Sequence, residues 1–89
     1  MGETEIGVTK KEFGIFQCLA ERIGTPIKPE AILERVWGAQ FAHYIQTLRV
    51  HIGNLRRKIE TPTSGVLIEA VRGIGYRLVE SRISNLNPL

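Results

Sequence analysis

Aspartate does not occur in this chain: all nine acids among its 89 residues are glutamates. That removes half of the usual carboxylate choices for acid–base catalysis. The glutamates are scattered, and Glu12 and Glu30 stand where helix starts account for them. Cysteine is nearly absent too. Cys18 is alone, so no intrachain disulfide can form and a cysteine metal cluster is excluded. It suits a reducing compartment, and its apolar surroundings make it a small buried hydrophobe rather than a nucleophile. His43 and His51 are not at the i, i+4 spacing of a helical metal pair. No apolar run approaches the ~20 residues of a membrane span. No charged start leads into an apolar block of signal-peptide form. Internal repeats and low-complexity tracts are missing as well. These absences predict a cytoplasmic protein that is not an enzyme and needs no cofactor and no metal.

Hydrophobic residues make up 43% of the chain, enough for one small core, so 1–89 reads as a single domain. A net charge of +3 favours an anionic partner. The placement of that charge says more than its sum. Arg49, Arg56, Arg57 and Lys58, four of the twelve basic residues, fall in one stretch from Tyr44 to Glu60. On a helix at ~100° per residue, Ile45, Leu48, Ile52, Leu55 and Ile59 share one narrow face, the pattern of a helix packed on a core. Gln46, Thr47, Val50, Asn54 and Arg57 lie opposite, Arg49 and Arg56 flank the apolar stripe, and His51, Gly53 and Lys58 lie between. Asn and Gln can pair with an adenine edge, Arg with a guanine edge, and Val can meet a thymine methyl. By itself the stretch is equally a solvated amphipathic helix with basic decoration; its neighbours in the chain change that weight.

Met1 to Glu5 reads as a frayed start and Ile6-Gly7-Val8 as a short strand. Thr9-Lys10-Lys11-Glu12 has the form of a capping box, opening a helix from Lys10 to about Arg22. Phe13, Phe16, Ala20 and Ile23 line one side of it, with Ile15, Cys18 and Leu19 widening that side, and Gly24 is the expected C-cap. Lys10 and Lys11 are expected to decorate a solvated helix start. After the short extended link Thr25 to Lys28, Pro29 suits the first position of a second helix, which Gly38 ends. Trp37 reads as core packing. Ala39 to His43 is a loop into the third helix, which stops before Pro62, and Thr61 to Gly65 is a turn. Strand-like runs at Val66–Val71 and Tyr76–Val79 flank Arg72-Gly73-Ile74-Gly75, a hairpin tip. That G-x-G joins strands rather than opening a helix, so it is no phosphate cradle. Arg77 reads equally as a phosphate contact or a solvated charge. The tail from 80 to 89 is expected to be mobile.

The predicted fold is therefore mainly α with a small β-hairpin (α+β): a winged helix-turn-helix of three helices plus a C-terminal wing, with its core over 8–79. In that layout the third helix enters the major groove of DNA. Arg72, at the hairpin tip, is then placed for a narrow minor groove.

LRVHIGNLRRKIE followed by VRGIGYRLV resembles the effector domain of OmpR/PhoB-type response regulators. Those domains carry a third helix near V-D-V-H-I-x-x-L-R-x-K-[IL]-E and a wing ending R-G-x-G-Y-R. VTKKEF resembles their L-T-x-x-E-F, and AILERVWG their L-L-x-x-V-W-G. The four blocks keep the family's order over about Val8 to Leu78, and the L-R-V-x-I-G-x-L-R flavour is nearest to KdpE-type members. The resemblance implies sequence-specific binding of double-stranded DNA for transcriptional regulation, as the output half of a two-component phosphorelay. A phosphorylated receiver domain, served by a sensor kinase, would drive dimerisation on tandem half-sites. By resemblance, Gln46, Arg49, Val50 and Asn54 are base-reading positions. Thr47, His51, Arg56, Arg57 and Lys58 are phosphate positions, Arg72 is the wing contact, and the loop from Gly38 to His43 would face RNA polymerase.

The chain departs from the family in places. Arg49 stands where many members have Asp, Gly53 and Asn54 where some have two arginines, and Lys28-Pro29 replaces a Ser-containing cap. Family domains open with a sheet of about four strands, whereas Glu3 to Val8 has room for one. The receiver domain is absent as well, so a fragment of a longer protein is expected. One side of the first helix would then be bare or covered by a neighbouring chain. A winged helix can also serve as a protein-docking module. That alternative calls for exposed apolar residues on the third helix, where Val50 is the exception among polar and basic groups.

Overall fold

The computed structural model describes residues 7–80. The expected frayed start, Ile6 and the tail beyond Glu80 lie outside them. Gly7 and Val8, placed in a short strand by the sequence pattern, belong to no strand.

Helix α1 spans Lys10–Ala20 and opens on the expected capping box. The Glu12 amide donates to Thr9 Oγ1 at 3.1 Å and the Thr9 amide donates to Glu12 Oε1 at 3.0 Å. The helix stops short of Arg22, with Glu21 and not the expected Gly24 at its C-cap; a turn over 21–24 carries the chain to Gly24, whose φ of 88° is left-handed. The Gly24 amide donates to the Leu78 carbonyl at 2.8 Å, tying this turn to the hairpin. The core-facing side of α1 is narrower than expected, with Phe16 and Ala20 half-buried against the core. Ile15, Cys18 and Leu19 are buried, whereas Phe13 is 57% and Ile23 52% exposed. Ile23 leaves the helical register because the helix has already ended. Phe13 points away from the elements that cover the Ile15–Leu19 side.

Helix α2 spans Pro29–Val36, with proline at the first position as expected. Ile32 and Leu33 are fully buried. Its C-terminal end is satisfied in a way the sequence did not suggest: Lys11 Nζ donates to the Val36 carbonyl at 3.1 Å and lies 5.2 Å from the Trp37 ring centroid. Lys11 is thus a cap for another helix and not solvated decoration. The loop into the third helix contains a 3-10 turn at Ala39–Phe41. Helix α3 spans Ile45–Ile59 and buries Leu48, Ile52 and Leu55. Ile45 and Ile59, at its two ends, are half-buried against the same core.

Strands β1 (Val66–Val71) and β2 (Gly75–Glu80) pair antiparallel from Val66↔Glu80 to Val71↔Gly75. Gly73 takes a φ of 78° in the connecting turn, closed by a 2.9 Å bond from the Ile74 amide to the Val71 carbonyl. The link before α2 joins this hairpin. Ile27 and Tyr76 form an antiparallel bridge, with hydrogen bonds of 2.7 and 3.0 Å between their backbones. One face of the hairpin, through Ile68 and Leu78, closes the core that the three helices share.

Two cationic side chains tie α3 into this frame. The Arg56 guanidinium donates twice to the Ile68 carbonyl, at 2.9 and 3.2 Å. Lys58 Nζ reaches Glu12 Oε1 at 2.6 Å and the Gly7 carbonyl at 2.8 Å. Glu12 is 3% exposed, the one buried charged residue among those described. A buried carboxylate without a partner is costly, so this pair fixes the C-terminal end of α3 against the start of α1.

Candidate nucleic-acid interface

Packing of Leu48, Ile52 and Leu55 turns the opposite face of α3 outward. Gln46, Arg49 and Arg57 are exposed on it, and Val50 is 60% exposed. Asn54 is half-buried and its side-chain oxygen accepts from the Arg57 guanidinium one turn on. The four expected base-reading positions thus share one surface, and a polar hydrogen bond already organises its C-terminal part.

The expected phosphate positions divide. Arg57 is exposed. Thr47 and His51 are half-buried at the edge of the outward face. His51 Nδ1 lies 2.8 Å from the Thr47 carbonyl, which can only accept, so the ring carries its proton there. The same ring meets Trp37 edge-on, centroids 5.0 Å apart at 82°. Trp37 is accordingly a packing residue at the rim of the core, as its neighbours in the sequence implied. Arg56 and Lys58 are partly exposed, and they donate to the Ile68 carbonyl and to the Glu12 carboxylate.

Arg72 stands exposed at the wing turn beside Ile74, itself 52% exposed. The wing and the outward face of α3 are not separate patches. An open groove of about 880 Å³ runs between the N-terminal ends of α2 and α3 and the wing, and both Arg49 and Arg72 line it. Lys28, Glu30 and Tyr76 line it as well. No helix periodicity or turn signal marked Lys28; what brings it here is the Ile27–Tyr76 bridge. Arg77, by contrast, pairs with its cross-strand partner Glu69 at 2.7 Å, a pair worth a few tenths to ~1 kcal/mol.

Three further groups with shifted titration act in structure: Glu12, Cys18 and Glu21. Burial works to raise the Glu12 carboxyl, yet hydrogen bonds from Lys58 and the Thr9 amide outweigh it and hold the group below its ordinary range. Burial raises the Cys18 thiol, as befits a core residue. Arg35 makes a two-point bond to Glu21, which lowers that carboxyl, but both are exposed and the pair adds little stability. Among the described residues no group of His, Cys, Asp or Glu is arranged to hold a metal ion, and no helix is long and apolar enough to cross a membrane.

Two helices joined by a short turn, the second turned outward with polar and basic groups, followed by a β-hairpin with a cation at its tip, define a winged helix-turn-helix domain. Residues 3–78 match the family described as "Transcriptional regulatory protein, C terminal", and the chain belongs to that family. It is a family of transcription regulators rather than of enzymes. Regulatory protein VanRB of Enterococcus faecalis is 42% identical over 78 residues, 88% of this chain and 34% of the relative. The DNA-binding dual master transcriptional regulator RpaA of Synechocystis is 42% identical over 74 residues, 82% of this chain and 31% of the relative. The chain thus spans about a third of the length of the curated relatives it matches. The crystal structure of the DNA-binding domain of Bacillus subtilis CssR superimposes with a TM-score of 0.71 at 30% identity, covering 82% of this chain and 78% of that one.

Proposed function

We propose that this chain binds double-stranded DNA sequence-specifically to regulate transcription, as the output domain of a two-component response regulator. The observation that carries the reading is the shared surface: the outward face of α3 and the Arg72 turn border one groove, so one duplex can meet both. Gln46, Arg49, Val50 and Asn54 read bases in the major groove. Thr47, His51 and Arg57 meet the backbone, and Arg72 enters the minor groove. Arg56 and Lys58 serve by holding the helix. In the longer protein a receiver domain and its sensor kinase control dimerisation on tandem half-sites in the cytoplasm, and residues 38–43 face RNA polymerase. Residues 1–89 act as a single domain in that protein. The L-R-V-x-I-G-x-L-R run inclines it toward KdpE-type members.

Selection from random duplexes at two salt concentrations tests this. A short enriched site, repeated at about one helical turn, is the expected result. Arg57→Ala then weakens every duplex alike and flattens the salt dependence by about one unit. Arg72→Ala weakens sites with A·T-rich flanks most. Salt-sensitive binding that enriches nothing would reduce the surface to a basic patch and favour the docking-module alternative.

A further inference from the structure

The cations of this domain divide by what they touch. Lys11 donates to the Val36 carbonyl, Arg35 to Glu21, Arg56 to the Ile68 carbonyl, Lys58 to Glu12, and Arg77 to Glu69. Arg57 bonds Asn54 on the outward face of α3. Among the described residues, Lys28, Arg49 and Arg72 make no side-chain hydrogen bond or ion pair, and all three line the same groove. Lys10 and Arg22, near the two ends of α1, are unengaged too but lie outside it.

A duplex that places α3 in its major groove and the Arg72 turn in the adjoining minor groove must run one sugar–phosphate backbone between them. The two grooves of a duplex share that backbone as their common wall. The space between α3 and the wing is the groove that Lys28, Arg49 and Arg72 line. We infer that this groove seats the phosphodiester backbone and that Lys28 is a phosphate contact. The inference rests on the DNA-binding reading above.

The surroundings fit an extended anion. The groove is open, and Ile45 and Ile74 add apolar lining beside its cations. Lys28 is held from both sides: the preceding Ile27 is bridged to Tyr76, and the following Pro29 opens α2. Its ammonium is a point charge on a flexible stem, which suits a phosphate and carries no base preference. Glu30 is the one acid of the lining and opposes the attraction. Its removal must act in the opposite direction to that of Lys28.

The test is binding of the 89-residue chain to a duplex drawn from the selection, followed by fluorescence anisotropy across a salt series. Lys28→Gln, Lys28→Arg, Glu30→Gln and Lys10→Gln are compared with the parent, with thermal unfolding confirming that each is folded. Lys28→Gln is expected to flatten the log–log salt dependence by about 0.9, so that it loses about 3-fold less affinity than the parent between roughly 50 and 200 mM salt. The selected site stays the same. Lys28→Arg keeps the parent slope, Glu30→Gln binds more tightly, and Lys10→Gln changes neither slope nor affinity. If the parent selects a site but Lys28→Gln keeps its slope and affinity, the Lys28 contact is overturned and the DNA reading stands. A changed site preference in Lys28→Gln also overturns it, since that would mark a base contact. A parent that selects no duplex overturns both.

Discussion

Gly75→Ala destabilises the domain by about 2–4 kcal/mol and opens the Ile27 and Tyr76 amides to hydrogen exchange. A Cβ at position 75 would lie 2.0 Å from the Ile27 carbonyl oxygen and 2.7 Å from its carbon. Both are backbone atoms in a hydrogen-bonded bridge, so neither can swing aside as a side chain would. Relief requires the link 25–28 to move off the hairpin, which gives up the two hydrogen bonds between Ile27 and Tyr76. Each is worth about 0.5–1.5 kcal/mol net, and the displaced backbone adds the cost of overpacking. The glycine is required here by space and not by conformation, since the positive-φ glycines are Gly24, Gly38, Gly65 and Gly73. Gly73→Ala is the natural comparison. Nothing lies within 4 Å of its added Cβ, so it pays only for a φ of 78°, about 1–2 kcal/mol, and leaves the bridge intact. Urea unfolding gives the two costs, and amide exchange distinguishes their causes. Retained protection at Ile27 and Tyr76 in Gly75→Ala would show that the close approach is not what the glycine serves.

That pair of glycines shows where the sequence speaks and where it stops. Gly73 was legible as part of a hairpin tip because local chemistry sets a turn. The same R-G-I-G run hid the reason for Gly75, which depends on a segment nearly fifty residues earlier in the chain. The helices were legible for local reasons too. The Thr9–Glu12 capping box, proline opening α2 and the 3-4-3-4 spacing of α3 each act within a few residues. The buried side of α1 was legible only in part. Ile15, Cys18 and Leu19 enter the core and Phe16 and Ala20 pack against it, but Phe13 and Ile23 at the edge of that side stay exposed, because periodicity alone does not say how far the other elements reach around a helix.

The candidate site divides along the same line. The outward face of α3 follows from its inward one, so Gln46, Arg49, Val50, Asn54 and Arg57 could be placed from the pattern. Lys28 could not, because it reaches the groove only through the Ile27–Tyr76 bridge. Arg56 and Lys58 mark the converse limit. Sequence gives a cation its position but not its partner, and both turn to the protein's own acceptors. The same holds for Lys11, whose acceptor is the last carbonyl of another helix.

Lys58→Met makes that distinction measurable. It removes the ammonium 2.6 Å from a carboxylate whose side chain is 4% exposed, while Lys58 itself is 30% exposed. Breaking a fully buried pair costs ~3–5 kcal/mol. Partial exposure of the lysine lowers the expectation to about 2–3 kcal/mol, or roughly 10–20 °C in Tm for a domain of this size. The pH dependence identifies the cause. In the parent, burial raises the Glu12 carboxyl but Lys58, the Thr9 amide and the charge of His51 prevail, so the folded value lies below the ordinary one. Such a group contributes stability that is complete above the unfolded value, about 4.3, and is lost as pH falls through the folded value. Without Lys58, burial loses its main opponent and the folded value rises. The variant then gains stability relative to the parent as pH falls from 7 toward 4, and the gap between them narrows. Glu12→Gln in the Lys58→Met background removes the stranded charge and recovers part of the loss at pH 7. DNA binding supplies the independent readout: where the fold is intact, the salt dependence of Lys58→Met is expected to stay that of the parent, because its ammonium is engaged by Glu12 and the Gly7 carbonyl. A variant with parental stability, a parental pH profile and a flatter salt dependence would place Lys58 on the DNA and leave Glu12 to its capping box alone.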